Sequence, residues 1–453
     1  MNLIKKIFLP TALTISSLLL IYTFYKSEIY WNGDIRDYYF TYYILSSILI
    51  FFSIITFFIN QKIKEYLIIS GITLVVSLYL FEGYLTFQLS KDQLSKVKLS
   101  KEQLSKEQSY EKQTGTKWDK RRKIEIYEDL KKMNNEITIS VFPNLLLTDP
   151  LHLDKYNQIF PLSGISKSKT ILCNENGYFS IYQSDRYGFN NPDEEWDNKK
   201  IEYLLVGDSF THGSCVNRPN DIASILRTLS NKSVLNLAYG GNGPLIEYAT
   251  LREYLNTNVK KVLWIYYDGN DLEDLTSEKS SNILINYLND LTFTQNLKLK
   301  QNEINNLAIN LIDREIDRER ENIDSKLIKF IKIYNIRRLI FHIPRLEPAS
   351  APEFKKILQL SKDLTIKNNS KLYFVSLHGY SRYKIKYDNT NYNLVKNIVN
   401  ELNIPFIDIH KEVFEKEQNP LKLFPYFHRC LCVHYTVEGY KKVAETIYKF
   451  TKD

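Results

Sequence analysis

Four positions far apart in the chain stand out for the chemistry their residue types could do together. Ser209 follows Gly207-Asp208 at the end of the apolar run Tyr203 to Val206. Such a run reads as a buried strand, and the glycine lets the chain turn sharply, so the next hydroxyl stands exposed at the strand's carboxyl end. A serine there is a candidate nucleophile, but a weak one that needs a base and a site for an oxyanion. In Tyr239-Gly240-Gly241-Asn242-Gly243 the glycines permit close backbone approach, so a main-chain N–H can point at a bound carbonyl oxygen. Asp268-Gly269-Asn270-Asp271 adds an amide donor in Asn270, and His434 offers a base. Each signal has a bland reading when taken singly. Glycine-rich loops and Gly-Asn-Asp are ordinary turn compositions, and a lone histidine among seven is more often structural. Their shared placement at strand ends is what joins them.

The elements that must position these residues can be placed from the apolar pattern. Strand candidates are Tyr203–Val206, Val234–Leu237, Val262–Tyr266, Leu372–Ser376 and Phe406–Ile409. Helical patterns fall between them, as in Asp221–Leu229, where Ile222, Ile225, Leu226 and Leu229 share a face. Alternating strand and helix predicts an α/β domain with a parallel sheet covered on both faces. The polar stretch Thr276 to Asn335 reads as a helical insertion or cap over the sheet. The last helix, Thr436 to Phe450, begins at a threonine cap and aligns Val437, Tyr440, Ala444 and Ile447.

The N-terminal part is of another kind. Apolar runs of bilayer-crossing length span roughly Ile7 to Tyr25, Tyr42 to Ile59 and Tyr66 to Phe87, with charges between them and only Glu82 late in the third. Residues 1–88 therefore read as a membrane segment with three transmembrane helices, the first an anchor and not a cleaved signal. Lys5, Lys6, Lys62 and Lys64 favour a cytoplasmic N-terminus and an extracytoplasmic remainder, while Lys91 to Lys106 argue the other way. Residues 89–114 begin with the pentapeptides LSKDQ, LSKVK, LSKEQ and LSKEQ. A period of five drifts around a helix without forming one stripe, so this is a polar spacer before a domain at 115–453. The net charge of +8 owes much to that spacer and is no nucleic-acid footprint. Of the four cysteines, Cys430 and Cys432 lie too close in sequence to pair comfortably. Cys173 and Cys215 stand as a disulfide, if the domain is extracytoplasmic, or as two buried thiols. No C-x-x-C pair is present, and a structural metal site is not expected.

Gly207-Asp208-Ser209-Phe210-Thr211-His212-Gly213, the Gly241 loop, Gly269-Asn270-Asp271 and a C-terminal histidine followed by Gly439 together resemble the SGNH/GDSL hydrolase superfamily. The family's four lettered residues fall on Ser209, Gly241, Asn270 and His434. Ser184 to Pro192 resembles the lead-in of bacterial membrane-linked members, and the resemblance spans roughly Cys173 to Tyr448. It implies a three-layer α/β/α fold with a five-stranded parallel sheet, and ester or thioester chemistry without a cofactor. Ser209 and His434 are then the catalytic pair. The N–H groups of Ser209 and Gly241 and the Asn270 amide form the oxyanion hole, and Asp208 and Asp271 support the loops. One departure matters: family members commonly carry an aspartate three residues before the histidine, where this chain has Leu431. A main-chain carbonyl near Arg429 or Cys430, or an acid from elsewhere in the fold, must orient His434, and a Ser–His dyad is the working expectation. His212 is expected in a supporting or surface position.

Three functions follow from this reading. The first is a membrane-anchored esterase or deacylase acting on an acylated cell-envelope glycan or lipid at the bacterial inner membrane. The second is an O-acyltransferase that modifies a polysaccharide with help from a membrane acyl-donor partner. The third is a degenerate glycan-binding protein, for which Leu431 is the only support.

Overall fold

The structure is a computed structural model. It describes residues 2–30, 36–133, 136–148, 159–321, 330–340, 351–384, 387–425 and 433–452; Arg429, Cys430, Leu431 and Cys432 lie outside them. The chain divides into two compact units.

The first unit holds α1 (Asn2–Phe24), α2 (Arg36–Ile55) and the beginning of α3 (Gln61–Thr114). Large apolar side chains such as Leu18, Ile21, Phe51 and Leu80 are exposed on these helices. Among the described residues, one helical stretch, Gln61–Gln88, is long and apolar enough to cross a membrane; Tyr39–Ile55 is a shorter apolar helix. The polar spacer is helical throughout, because α3 runs on through it to Thr114. Residues 330–340 also belong to this unit, so the end of the stretch read as a helical insertion or cap groups apart from the α/β unit. The physical reason lies in Glu82. Its buried carboxylate accepts the backbone N–H groups of Asn335 (3.0 Å) and Ile336 (2.9 Å) and the Asn335 amide (2.9 Å). The carboxylate thus satisfies backbone donors in the first turn of the short helix Tyr334–Ile340. Tyr79 adds a hydrogen bond to the Ile331 carbonyl, 2.9 Å, and packs on Phe330.

The second unit contains the predicted α/β domain. Five parallel strands, β4 (Ile201–Gly207), β5 (Val234–Asn236), β6 (Val259–Tyr267), β7 (Lys371–Leu377) and β8 (Phe406–Asp408), run in the order β5-β4-β6-β7-β8. Each lies on its sequence-derived candidate. Leu205 is in register with Asn236 on one side and Leu263 on the other. Alternate residues serve two cores: Leu204, Val206, Trp264 and Phe374 face one, and Tyr203, Leu205, Leu263, Ile265 and Val375 the other. Strands buried on both faces need apolar residues at every position, which is why they read as unbroken runs.

Helices cover both faces, giving three layers. α4 (Ser209–His212) and α5 (Ile222–Ser230) follow β4 directly. α6 (Pro244–Tyr254), α7 (Asp271–Glu278), α8 (Asn282–Asn289), α9 (Gln301–Glu321), α10 (Ala351–Lys367) and α11 (Thr390–Glu401) come next, and α12 (Val437–Thr451) closes the chain. Side chains of α5 and α12 pack on one face of the sheet, and those of α6, α10 and α11 on the other. The insertion helices α8 and α9 bury Leu284, Tyr287, Ile304 and Leu307 in the core that holds Leu204 and Trp264. Asp221 caps α5 by accepting the Ser224 N–H at 2.9 Å, and Thr436 caps α12 through Gly439 at 3.1 Å.

A small second sheet was not anticipated. β1 (Ile137–Ile139) pairs parallel with β2 (Lys169–Ile171), which pairs antiparallel with β3 (Ile181–Gln183). The hairpin joining β2 and β3, residues 172–180, matters for the site below.

Candidate active site

β5 lies on one side of β4 and β6 on the other, so the chain reverses its order of addition at β4. The crevice beyond the carboxyl ends of the strands at such a switch point is where open α/β sheets bind ligands. Ser209 starts α4 there. Gly207 is required by space, because a Cβ at this position would lie 2.3 Å from Thr211 Oγ1 and 2.7 Å from the Ile265 carbonyl. Asp208 is buried and caps α4, accepting the Phe210 N–H at 2.9 Å. The lead-in braces this turn from behind. Asn190 donates to the His212 carbonyl and Asn236 to that of Thr211, while Asn191 exchanges two hydrogen bonds with the Asn236 backbone.

His434 precedes α12, and its Nε2 lies 2.8 Å from Ser209 Oγ. On the other edge of the ring, Nδ1 lies 3.0 Å from Glu175 Oε1, and the second carboxylate oxygen accepts the His434 backbone N–H at 2.7 Å. Glu175 thus fixes the imidazole twice. A carboxylate facing Nδ1 holds the proton there and leaves the Nε2 lone pair turned to the serine. Both side chains are nearly enclosed, with 12% of Glu175 and 15% of His434 exposed. Burial acts to depress the His434 pKa, but the charge and hydrogen bond of Glu175, with the charge of Asp208, outweigh it and raise the value. The arrangement is a three-member row, not a dyad.

Sequence reasoning missed Glu175. It sits in the β2–β3 hairpin, far from the histidine in sequence, and carries no motif. The signal available was Cys173, two residues before it. Cys173 and Cys215 form a disulfide, and Cys215 lies six residues beyond Ser209. Glu175, Cys215 and His434 are also three ligand-type side chains whose donor atoms lie within 4.8 Å of one another. With its sulfur bonded to Cys173, Cys215 has no thiolate to offer, so the set does not fit a metal in this form.

Gly241 and Asn270 follow β5 and β6, the two neighbours of β4, so their loops flank Ser209 at the same end of the sheet. Gly241 has φ +76°, and a Cβ there would press on the Asn144 amide at 2.5 Å. Asn270 donates one amide hydrogen to Asp274 Oδ2 at 2.5 Å. Asp271 turns inward and accepts the Tyr267 N–H at 2.7 Å. Carboxyl groups gather behind these loops. Burial pushes Asp208 up to about 6, Asp274 up to about 7 and Glu278 up to about 8. Glu278 accepts the N–H groups of Gly243 (2.6 Å) and Leu245 (2.8 Å), which sets the path of the glycine loop into α6. His212 is wholly buried and stacked on Tyr239, and burial lowers its pKa to about 3; it is a neutral core ring, not a surface one.

No protein-family model and no curated protein sequence matches the chain. Among solved structures it is similar to an acetylxylan esterase from Geobacillus stearothermophilus, at 12% identity and TM-score 0.32, covering 56% of this chain and 97% of that one. A phospholipase A1 from Streptomyces albidoflavus NA297 is similar at 9% identity and TM-score 0.32, over 55% of this chain and 99% of that one. A salicylyl-acyltransferase from a tetracycline biosynthetic pathway is similar at 9% identity and TM-score 0.29, over 56% of this chain and 55% of that one.

Proposed function

We propose that this protein is a membrane-anchored serine ester hydrolase that deacylates a glycan or lipid of the cell envelope. The observation that carries the reading is the row Glu175, His434, Ser209, with contacts of 3.0 and 2.8 Å. His434 Nε2 takes the hydroxyl proton as Ser209 Oγ attacks the ester carbonyl carbon. Glu175 stabilises the imidazolium that results. The negative charge on the carbonyl oxygen is met by the N–H groups of Ser209 and Gly241 and by the Asn270 amide hydrogen not given to Asp274. Collapse expels the alcohol, which leaves with the proton from His434. Water, deprotonated by the same nitrogen, then attacks the acyl-enzyme and releases the acid. The non-enzymatic reading rested on Leu431 alone, and Glu175 removes that support.

Transfer to a polysaccharide hydroxyl would use the same acyl-enzyme with a different acceptor. Fluorophosphonate labelling of wild type against Ser209→Ala tests the nucleophile, and analysis of products with glycan acceptors separates hydrolysis from transfer. Absence of labelling in the wild type sinks the reading. Three spans at Ile7 to Tyr25, Tyr42 to Ile59 and Tyr66 to Phe87, with the catalytic unit outside, complete it. The exposed apolar side chains of α1 to α3 support the anchor, and the Cys173–Cys215 disulfide supports an oxidising compartment. An alkaline phosphatase fusion after residue 453 should be active; an inactive fusion would reverse the orientation.

A further inference from the structure

The acid of the row does not belong to the large sheet. It hangs from the β2–β3 hairpin, whose parent sheet has strands of only three residues each. A sheet that short contributes little rigidity of its own. The hairpin closes through Leu172 N–H to Ser180 O and Ser180 N–H to Cys173 O, both 2.8 to 2.9 Å. Beyond Cys173 its tip is tied by a few neutral hydrogen bonds. Asn176 donates to the Cys215 carbonyl at 3.0 Å, Asn174 to that of Asp119 at 2.8 Å, and Asp119 to that of Gly177 at 2.9 Å. Each such bond adds little net stability, because water offers the same groups partners when the tip lifts away. The covalent tie is the disulfide, which joins the hairpin two residues before Glu175 to the loop that follows the nucleophile helix. Its sulfur at Cys215 lies 4.0 Å from His434 Nδ1, so the bridge borders the base itself.

Cys215 carries a second sign of this role. Its φ is +63°, in the left-handed region where a Cβ costs roughly 1–2 kcal/mol and which favours glycine or asparagine. A cysteine in that conformation gives up local stability, and the bond it makes is what it gains.

We propose that the Cys173–Cys215 disulfide is the positioning element for the catalytic acid, so that full activity requires the oxidised protein. The proposal rests on the serine-hydrolase reading above. A dithiol reductant would break the Sγ–Sγ bond, delivering two electrons and two protons to the sulfurs and becoming a disulfide itself. The hairpin tip is then held by hydrogen bonds alone, those of Glu175 to His434 included, and Glu175 drifts from its place against Nδ1.

The test compares fluorophosphonate labelling rates of the full chain across pH, oxidised and after dithiothreitol, for wild type, Glu175→Gln and the Cys173→Ser/Cys215→Ser double variant. Reduced wild type and the double variant should label on the order of a hundredfold more slowly than oxidised wild type, the scale of a catalytic group displaced by about 1 Å. Their pH midpoints should fall toward that of Glu175→Gln. Glu175→Gln itself should not respond to dithiothreitol, a coupling that general loosening of the fold would not produce. Oxidised wild type that labels but is indifferent to reduction overturns the proposal, as does a Glu175→Gln variant slowed by the same factor as wild type. Oxidised wild type that fails to label overturns the hydrolase reading and this proposal with it. Reduced wild type supplies the answer even where the double variant does not fold.

Discussion

Glu175 Oε1 and His434 Nδ1 stand 3.0 Å apart, although 259 positions separate them in the chain. The glutamate also accepts the histidine's own backbone N–H, so one side chain sets both the tautomer and the pitch of the ring. The role usually given to a carboxylate just before the histidine is filled from a different sheet.

Replacing Glu175 by Gln keeps the shape and removes the charge. Turnover of a model aryl ester should fall by about three to four decades, as when a comparable acid is neutralised in the serine protease template. The carboxylate raises the His434 pKa, so the pH midpoint should move down in the variant. A pH–rate profile of kcat/KM checks both; an unmoved midpoint contradicts the assigned contact.

Asn270→Ala should lower kcat by about 10²–10³ with little change in KM, because an oxyanion donor acts mainly in the transition state. Asp274→Ala frees the amide that Asp274 now holds and should give a smaller loss of the same kind. Steady-state kinetics on an acetyl ester distinguishes this from a binding defect, which would appear in KM.

Stability should fall as pH rises from the carboxylate range to mild alkalinity. Asp274 and Glu278 have folded values of about 7 and about 8, above their ordinary 3.8 and 4.5. Their contribution is fully present below the unfolded values and is lost as pH rises through the folded ones. The raised His434 acts in the same direction, losing its part above 6.5. Thermal melts should therefore give a higher Tm at about pH 5.5 than at about pH 8, and Glu278→Gln should flatten the slope. A Tm that climbs over that interval contradicts the protonated carboxyls.

The contact of Glu82 with the short helix Tyr334–Ile340 should hold in the purified protein. The backbone N–H groups of Asn335 and Ile336, both donated to that carboxylate, should exchange slowly with deuterium, read by mass spectrometry. Glu82→Leu should speed the exchange, since it strips the acceptor from both. An unchanged rate would mean that the carboxylate does not hold this segment.

The strands were legible because each is buried on both faces and must be apolar throughout, as Leu204, Leu205 and Val206 show. Ser209 and His434 were legible as types at strand or helix ends, and the coordinates set them in contact. Strand order was not legible, since pairing such as Leu205 with Leu263 depends on distant segments. Glu175 was hidden for the same reason: nothing local marks a carboxylate whose partner arrives hundreds of residues later. The grouping of residues 330–340 with the first unit was not legible, because Glu82 is met there mainly by backbone N–H groups, which carry no sequence signature.

Along the chain the row runs Glu175, Ser209, His434, with the glutamate ahead of the Gly-Asp-Ser turn. A pattern search that demands a carboxylate just before the C-terminal imidazole would pass over the Glu175–His434 contact. Chains that show the same gap deserve a second inspection for a cystine whose halves straddle the serine, with a glutamate two places after its first half.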